Sequence, residues 1–146
     1  MEYEKIIVHW VFRLSFLMRK DISDRMRAAG HRVTPEEWAL LMILSQGDSR
    51  TPSDIADITS KDPTTVTRLI DGMVAKGLAS RTEDPADRRR SLIQITPEGQ
   101  TFFGQLEPIA QSLITDAMGG IDPQDAQIAM GVLRQMTSNM LGARSR

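Results

Sequence analysis

The sequence predicts a mainly α fold with one small β-hairpin. Three observations predict it. Apolar residues recur at helical spacing through most of the chain. Six of the seven prolines follow Thr or Asp; Asp84-Pro85 reads as a turn, and the other five read as helix starts: Thr34-Pro35, Thr51-Pro52, Asp62-Pro63, Thr96-Pro97 and Asp122-Pro123. Only one stretch, Leu78 to Thr96, has a strand-turn-strand pattern. With 146 residues, 40% hydrophobic and 25% charged, the chain reads as a single domain that buries a real core.

The first helix is expected over about 3–29, from Tyr3 to Ala29, with Gly30 as its stop. Ile6, Ile7, Trp10, Leu14, Leu17 and Met18 keep helical spacing, and Val11, Phe12 and Phe16 widen the apolar face. At ~1.5 Å per residue this helix is about 40 Å long, too long for one side of a small domain. A partner subunit is the natural use of the extra apolar surface. The second helix, about Pro35 to Gln46, is apolar nearly all round and therefore central. Its start, Thr34-Pro35-Glu36-Glu37, has capping-box spacing, and Thr51 to Asp54 has a weaker version. The third helix, Pro52 to about Thr59, turns Ile55, Ala56 and Ile58 inward.

Ser60-Lys61 then makes a tight turn into the helix around which the chain is organised. Asp62 caps it, Pro63 opens it and Gly77 ends it. Val66, Leu69, Ile70, Met73 and Val74 form its apolar stripe. The opposite face carries Thr64, Thr65, Arg68, Asp71, Gly72 and Ala75. Slim side chains, hydroxyls and a guanidinium suit a helix that enters a DNA groove. Short helix, tight turn and slim polar helix make a helix-turn-helix.

Strands are expected at Leu78 to Glu83 and Ser91 to Thr96, joined by a tip at Asp84 to Arg90 that carries Arg88, Arg89 and Arg90. Such a tip can lie against phosphates or push an Arg into the minor groove, with Asp87 holding one Arg in place. The fifth helix, about 97–118, contains Pro108, which predicts a bend or break. Gly119-Gly120 ends it, and the sixth helix occupies about 123–142. The tail, Gly142 to Arg146, is expected to fray.

Charge and composition narrow the function. The net charge of −1 argues against a wholly basic nucleic-acid binder. However, Ser91 to Leu133 holds no Lys or Arg, so the basic residues concentrate upstream and at the tail. A local positive patch suffices, because phosphate contacts act within a Debye length of ~10 Å. The absence of cysteine excludes disulfides, cysteine-based zinc sites and thiol redox sensing, and fits a cytoplasmic protein. The acidic N-terminus and the interruptions by His9 and Arg13 argue against a signal peptide or membrane span. No nucleophile–base set, phosphate-binding glycine loop or metal-ligand spacing is present, so neither an enzyme nor a cofactor is expected.

Three local patterns resemble the MarR family of bacterial winged helix-turn-helix transcriptional regulators. Thr65-Val66-Thr67-Arg68-Leu69-Ile70-Asp71 through Lys76-Gly77-Leu78 resembles the family's recognition helix and its exit. Asp84-Pro85-Ala86-Asp87-Arg88-Arg89 resembles its wing tip, and Ile95-Thr96-Pro97-Glu98-Gly99 its strand-to-helix exit. Together they cover about a quarter of the chain, and the element order extends the likeness to nearly all of it.

The resemblance implies one MarR-like domain over 1–146, with a winged helix-turn-helix at about 34–97 and a helical dimerisation region. It implies a homodimer on a pseudo-palindromic operator. Thr64, Thr65, Thr67 and Arg68 would read or grip the major groove, and Arg89, oriented by Asp87, would enter the minor groove. Arg81, Arg88, Arg90, Ser53 and Lys61 would touch phosphates. Many members are repressors released by a small aromatic or phenolic effector bound between the helical region and the winged helix. His9, Trp10, Arg13 and Trp38 are candidate effector contacts, with ordinary core and interface packing as the other reading. The rival function is a winged helix used as a protein–protein or structural dimer module without DNA binding.

Overall fold

The computed structural model describes residues 1–145. It divides into two compact parts, Met1–Leu113 and Ile114–Arg146. The element order is a 3-10 turn at Tyr3–Lys5, α1 (Ile7–Ala28), α2 (Pro35–Leu44), α3 (Pro52–Thr59), α4 (Pro63–Ala75), β1 (Ala79–Asp84), β2 (Asp87–Ile95), α5 (Pro97–Met118) and α6 (Pro123–Arg144). This is a mainly α fold with a small hairpin wing, as the sequence predicts.

The capping residues set most boundaries. Thr34 and Thr51 each form a full capping box, with Glu37 and Asp54 as the reciprocal partners. Asp62 accepts from the Thr65 N–H at 2.9 Å to start α4. At the other end, Gly77 takes φ +73° and the Leu78 N–H closes on the Met73 carbonyl at 3.0 Å. That six-to-one bond is a Schellman stop, and it aims the chain straight into β1.

In the first part the core is built from α2, α4 and their neighbours. Leu40, Leu41, Leu44, Ile55, Val66, Ile70, Met73, Ile93 and Leu106 are fully buried. From α1 Ile22 and Met26 are buried in this core, and Met18 packs half-buried against it. The N-terminal half of α1 leaves Trp10, Phe12, Leu14, Phe16 and Leu17 exposed, Phe16 at 72%. In the second part, α6 has no buried residue, and Ile128, Met130, Leu133 and Met140 are exposed.

Several expectations are corrected. The first helix does not begin at Tyr3: Ile6 is extended, at φ −105° and ψ 115°, and separates the 3-10 turn from α1. The Trp10 indole donates to the Glu4 carbonyl at 2.9 Å, occupying the acceptor that a continuous helix would offer to Val8. The second helix stops at Leu44, two residues early, with Ser45 Oγ bonding the Met42 carbonyl. Ile58 points outward, 52% exposed, because a two-turn helix has room to bury only Ile55 fully. Pro108 does not break α5. Leu106, Ala110 and Leu113 are buried on either side of it, and their burial offsets the roughly 3 kcal/mol that an internal proline costs. The tail is helical to Arg144, and the frayed end expected at Arg146 lies outside the described residues.

The hairpin also differs from expectation. The strands pair from Ala79↔Ile95 to Glu83↔Ser91, and the register then jumps to Asp84↔Asp87. The turn is therefore only Pro85-Ala86, and Arg88, Arg89 and Arg90 form a bulge with no residue opposite them. At the base, Arg50 adds a third, single-residue strand. Its N–H and carbonyl both bond Ile93, at 3.0 and 2.7 Å.

Candidate nucleic-acid interface

On α4 the burial pattern splits the helix as the sequence predicts. Val66, Ile70 and Met73 are buried, and Thr64, Thr65, Thr67 and Arg68 are exposed side by side. Two of the three threonine hydroxyls are engaged within the chain. Thr65 Oγ1 donates to Asp62 Oδ2 at 2.7 Å, and Thr67 Oγ1 donates to the Pro63 carbonyl at 2.9 Å. The two bonds from Thr65 hold the Asp62 carboxyl below the ordinary carboxylate range. Arg68 makes no ion pair among the described residues, so its five donors are available.

The helix-turn-helix turn rests on Ser60, the one non-glycine residue with positive φ, +54°, among the described residues. The Lys61 N–H closes this turn on the Ala56 carbonyl at 3.2 Å. Lys61 is half-buried and lies 4.0 Å from Glu36, which also pairs with Arg19 of α1. The Arg19 guanidinium holds the Glu36 carboxyl below its usual value. Ser53 is exposed in the first turn of α3, where helix N–H groups are free to meet an anion.

The wing presents three arginines in its bulge. Arg89 is forked onto Asp87, Nε to Oδ1 at 3.1 Å and Nη2 to Oδ2 at 3.3 Å, while its own N–H bonds Oδ1 at 3.0 Å. These contacts lower the Asp87 pKa and fix the direction of a side chain that is 91% exposed. Arg88 and Arg90 are exposed beside it, and Arg90 adds attraction for both Asp87 and Asp54. Arg81 is exposed but engaged: its Nη2 is 2.7 Å from Asp71 Oδ1, a bridge from wing to α4.

Sequence reasoning missed Asp71 and Arg50 as parts that set the wing against α4. Ten and 43 residues separate them from the partners Arg81 and Ile93, and no local periodicity marks such pairs.

The four candidate effector residues fall into two groups. His9 packs edge-on against Tyr3 and Trp10, at 4.8 and 5.4 Å, and Arg13 lies 6.0 Å above the Trp10 ring. His9 Nε2 is buried without a hydrogen-bond partner among the described residues. Trp38 is elsewhere, stacked on Phe103 at 5.3 Å and packed against the core.

Known proteins place this arrangement. The MarR family model matches residues 32–90, the stretch from just before α2 to the wing bulge. The repressor YetL of Bacillus subtilis is 28% identical over 126 residues, covering 81% of this chain and 75% of that protein. The chain resembles the MarR family of winged helix-turn-helix transcriptional regulators. A MarR-family regulator from Silicibacter pomeroyi superposes with a TM-score of 0.81 at 26% identity, covering 94% of this chain and 91% of that one. BpsR of Bordetella bronchiseptica, whose DNA binding is regulated by 6-hydroxynicotinic acid, superposes with a TM-score of 0.82 at 23% identity, covering 94% and 96%. Among curated relatives the match spans 63% to 79% of their own length. Among the described residues, no helix of the chain is long and apolar enough to cross a membrane.

Proposed function

We propose that the chain is a sequence-specific double-stranded DNA-binding repressor that acts in the cytoplasm as a homodimer and is released by a small aromatic effector. One observation carries the DNA reading. The polar face of α4 lies exposed on a helix joined to the arginine bulge by the Asp71–Arg81 bridge. On this reading Thr64, Thr65, Thr67 and Arg68 enter the major groove and Arg89, held by Asp87, enters the minor groove. Ser53, Lys61, Arg88 and Arg90 meet phosphates. Arg81 joins them only by sharing or leaving Asp71.

The exposed apolar residues of α1, and separately those of α6, support the homodimer, since such apolar faces in water call for a partner. Two copies of one domain related by a two-fold axis call for a pseudo-palindromic operator. The effector reading rests on the likeness to BpsR and on the His9–Trp10–Arg13 group, which joins a cation and rings suited to an anionic aromatic compound.

The test is titration of the purified protein against the DNA upstream of its own gene, with a shuffled duplex as control, at several salt concentrations. Preferential binding by two subunits, with steep salt dependence, is the expected result. Absence of binding even at low salt would remove the DNA reading in favour of a protein-interaction module.

A further inference from the structure

Two hydroxyl protons on the exposed face of α4 are committed inside the chain. The Pro63 carbonyl that Thr67 Oγ1 meets at 2.9 Å carries no proton, so the hydroxyl is the donor. The same holds for Thr65 Oγ1 at 2.7 Å from Asp62 Oδ2, a carboxylate that also accepts the Thr65 N–H. Each exposed side chain is left with oxygen lone pairs and a methyl group.

A DNA phosphate offers only acceptor oxygens. Neither hydroxyl can bond to it without giving up an internal bond. In the major groove the groups that match a lone pair are the exocyclic amines, N6 of adenine and N4 of cytosine. Resting on the reading of α4 as the recognition helix, we propose that Thr65 and Thr67 read the operator as acceptors, taking adenine N6 or cytosine N4 amino groups, and do not grip phosphates. Thr64 and Arg68 differ, because neither side chain has an internal bond among the described residues. Thr64 keeps its proton for a phosphate, and Arg68 keeps a fork that fits guanine O6 and N7.

Selection of binding sites from a random duplex pool tests this, using the full-length wild type and the variants Thr65→Val and Thr67→Val. Valine keeps the branched shape and the methyl group and puts a second methyl where the hydroxyl stood. Each variant is expected to lose its preference for adenine or cytosine at one half-site position, by roughly three- to tenfold, with unchanged affinity for random duplex. Wild-type protein on a site with purine in place of that adenine, which lacks the N6 amine, should show the same loss. For a selected cytosine, 2-pyrimidinone, which lacks the N4 amine, serves the same purpose. Neither substituted duplex requires a variant to fold. A uniform loss over all sequences with the selected site intact would assign the hydroxyls to phosphates and overturn the proposal. Unchanged selection by both variants would overturn it too, while leaving the regulator reading in place. A wild type that selects no site at all would overturn both.

Discussion

The two parts of the chain that carry apolar helices treat them in opposite ways. In the winged helix-turn-helix, α2, α4 and β2 build a shared core: Leu41, Ile70 and Ile93 have no exposed surface. In the terminal helices, side chains as large as Phe12, Phe16, Ile128 and Met140 stand more than half exposed. Both α4 and α1 carry apolar residues at helical spacing. The difference is that the first set finds its partners within the chain, and the second set has faces that only another surface can cover. The winged helix-turn-helix therefore has its own core, and in the proposed homodimer the terminal helices are covered by association.

The largest expected effect lies in the core of the reading unit. Ile70→Ala should lower stability by about 2–5 kcal/mol, because a fully buried branched side chain leaves a cavity. The loss should appear in a chemical denaturation midpoint and persist at every protein concentration. Phe16→Asp acts on the other side of the comparison. It should convert the dimer to monomer in sedimentation and remove the concentration dependence of the melting temperature, with the winged helix still folded. If Phe16→Asp instead unfolds the chain at all concentrations, the N-terminal half of α1 is not an association surface.

A third effect separates binding from folding. Arg89 lies exposed and touches only Asp87 among the described residues. Arg89→Ala should weaken operator binding by about 1–3 kcal/mol with the dimer and the melting temperature unchanged. Equal operator affinity for this variant and the wild type would remove the wing from the interface.

The same contrast explains what the sequence revealed. Helix starts were legible because Thr34, Thr51 and Asp62 act within three residues of themselves. The inward stripe of α4 was legible because Val66, Ile70 and Met73 repeat within one helix. The arginine bulge was not, since it depends on how β1 counts against β2 across the turn. Nor was the break at Ile6, which depends on an indole reaching back six residues to Glu4. For the site, the residue types and their rough location were readable, Asp87 was expected to hold one tip arginine, and the MarR resemblance singled out Arg89. The internal bonds of Thr65 and Thr67 were not considered, although Asp62/Thr65 at i, i+3 and Pro63/Thr67 at i, i+4 are the spacings that permit them.

The smallest effect concerns Glu36, which touches both halves of the comparison. It takes Arg19 from the long helix α1 and lies 4.0 Å from Lys61 in the helix-turn-helix turn. Arg19 lowers its pKa, so the folded state holds the ionised carboxyl more tightly than the unfolded chain does. The resulting stability is present above the ordinary glutamate value of about 4.3 and fades as pH falls through the lower folded value. The pair is partly exposed, and its worth is correspondingly small, about 0–1 kcal/mol at neutral pH after solvent screening. Glu36→Gln removes the titrating group and keeps its size. Melting temperatures at neutral pH should differ slightly between variant and wild type, and the gap should close as the buffer is acidified below about pH 4. High salt should shrink the neutral-pH gap as well, because screening acts on the ion pair and not on the packing around it. A gap that stays constant with pH would mean that the side chain contributes by shape alone and that no charge links α1 to the turn. A gap that closes would identify Arg19–Glu36 as a titrating contact that joins the scaffold helix to the reading unit within a single chain.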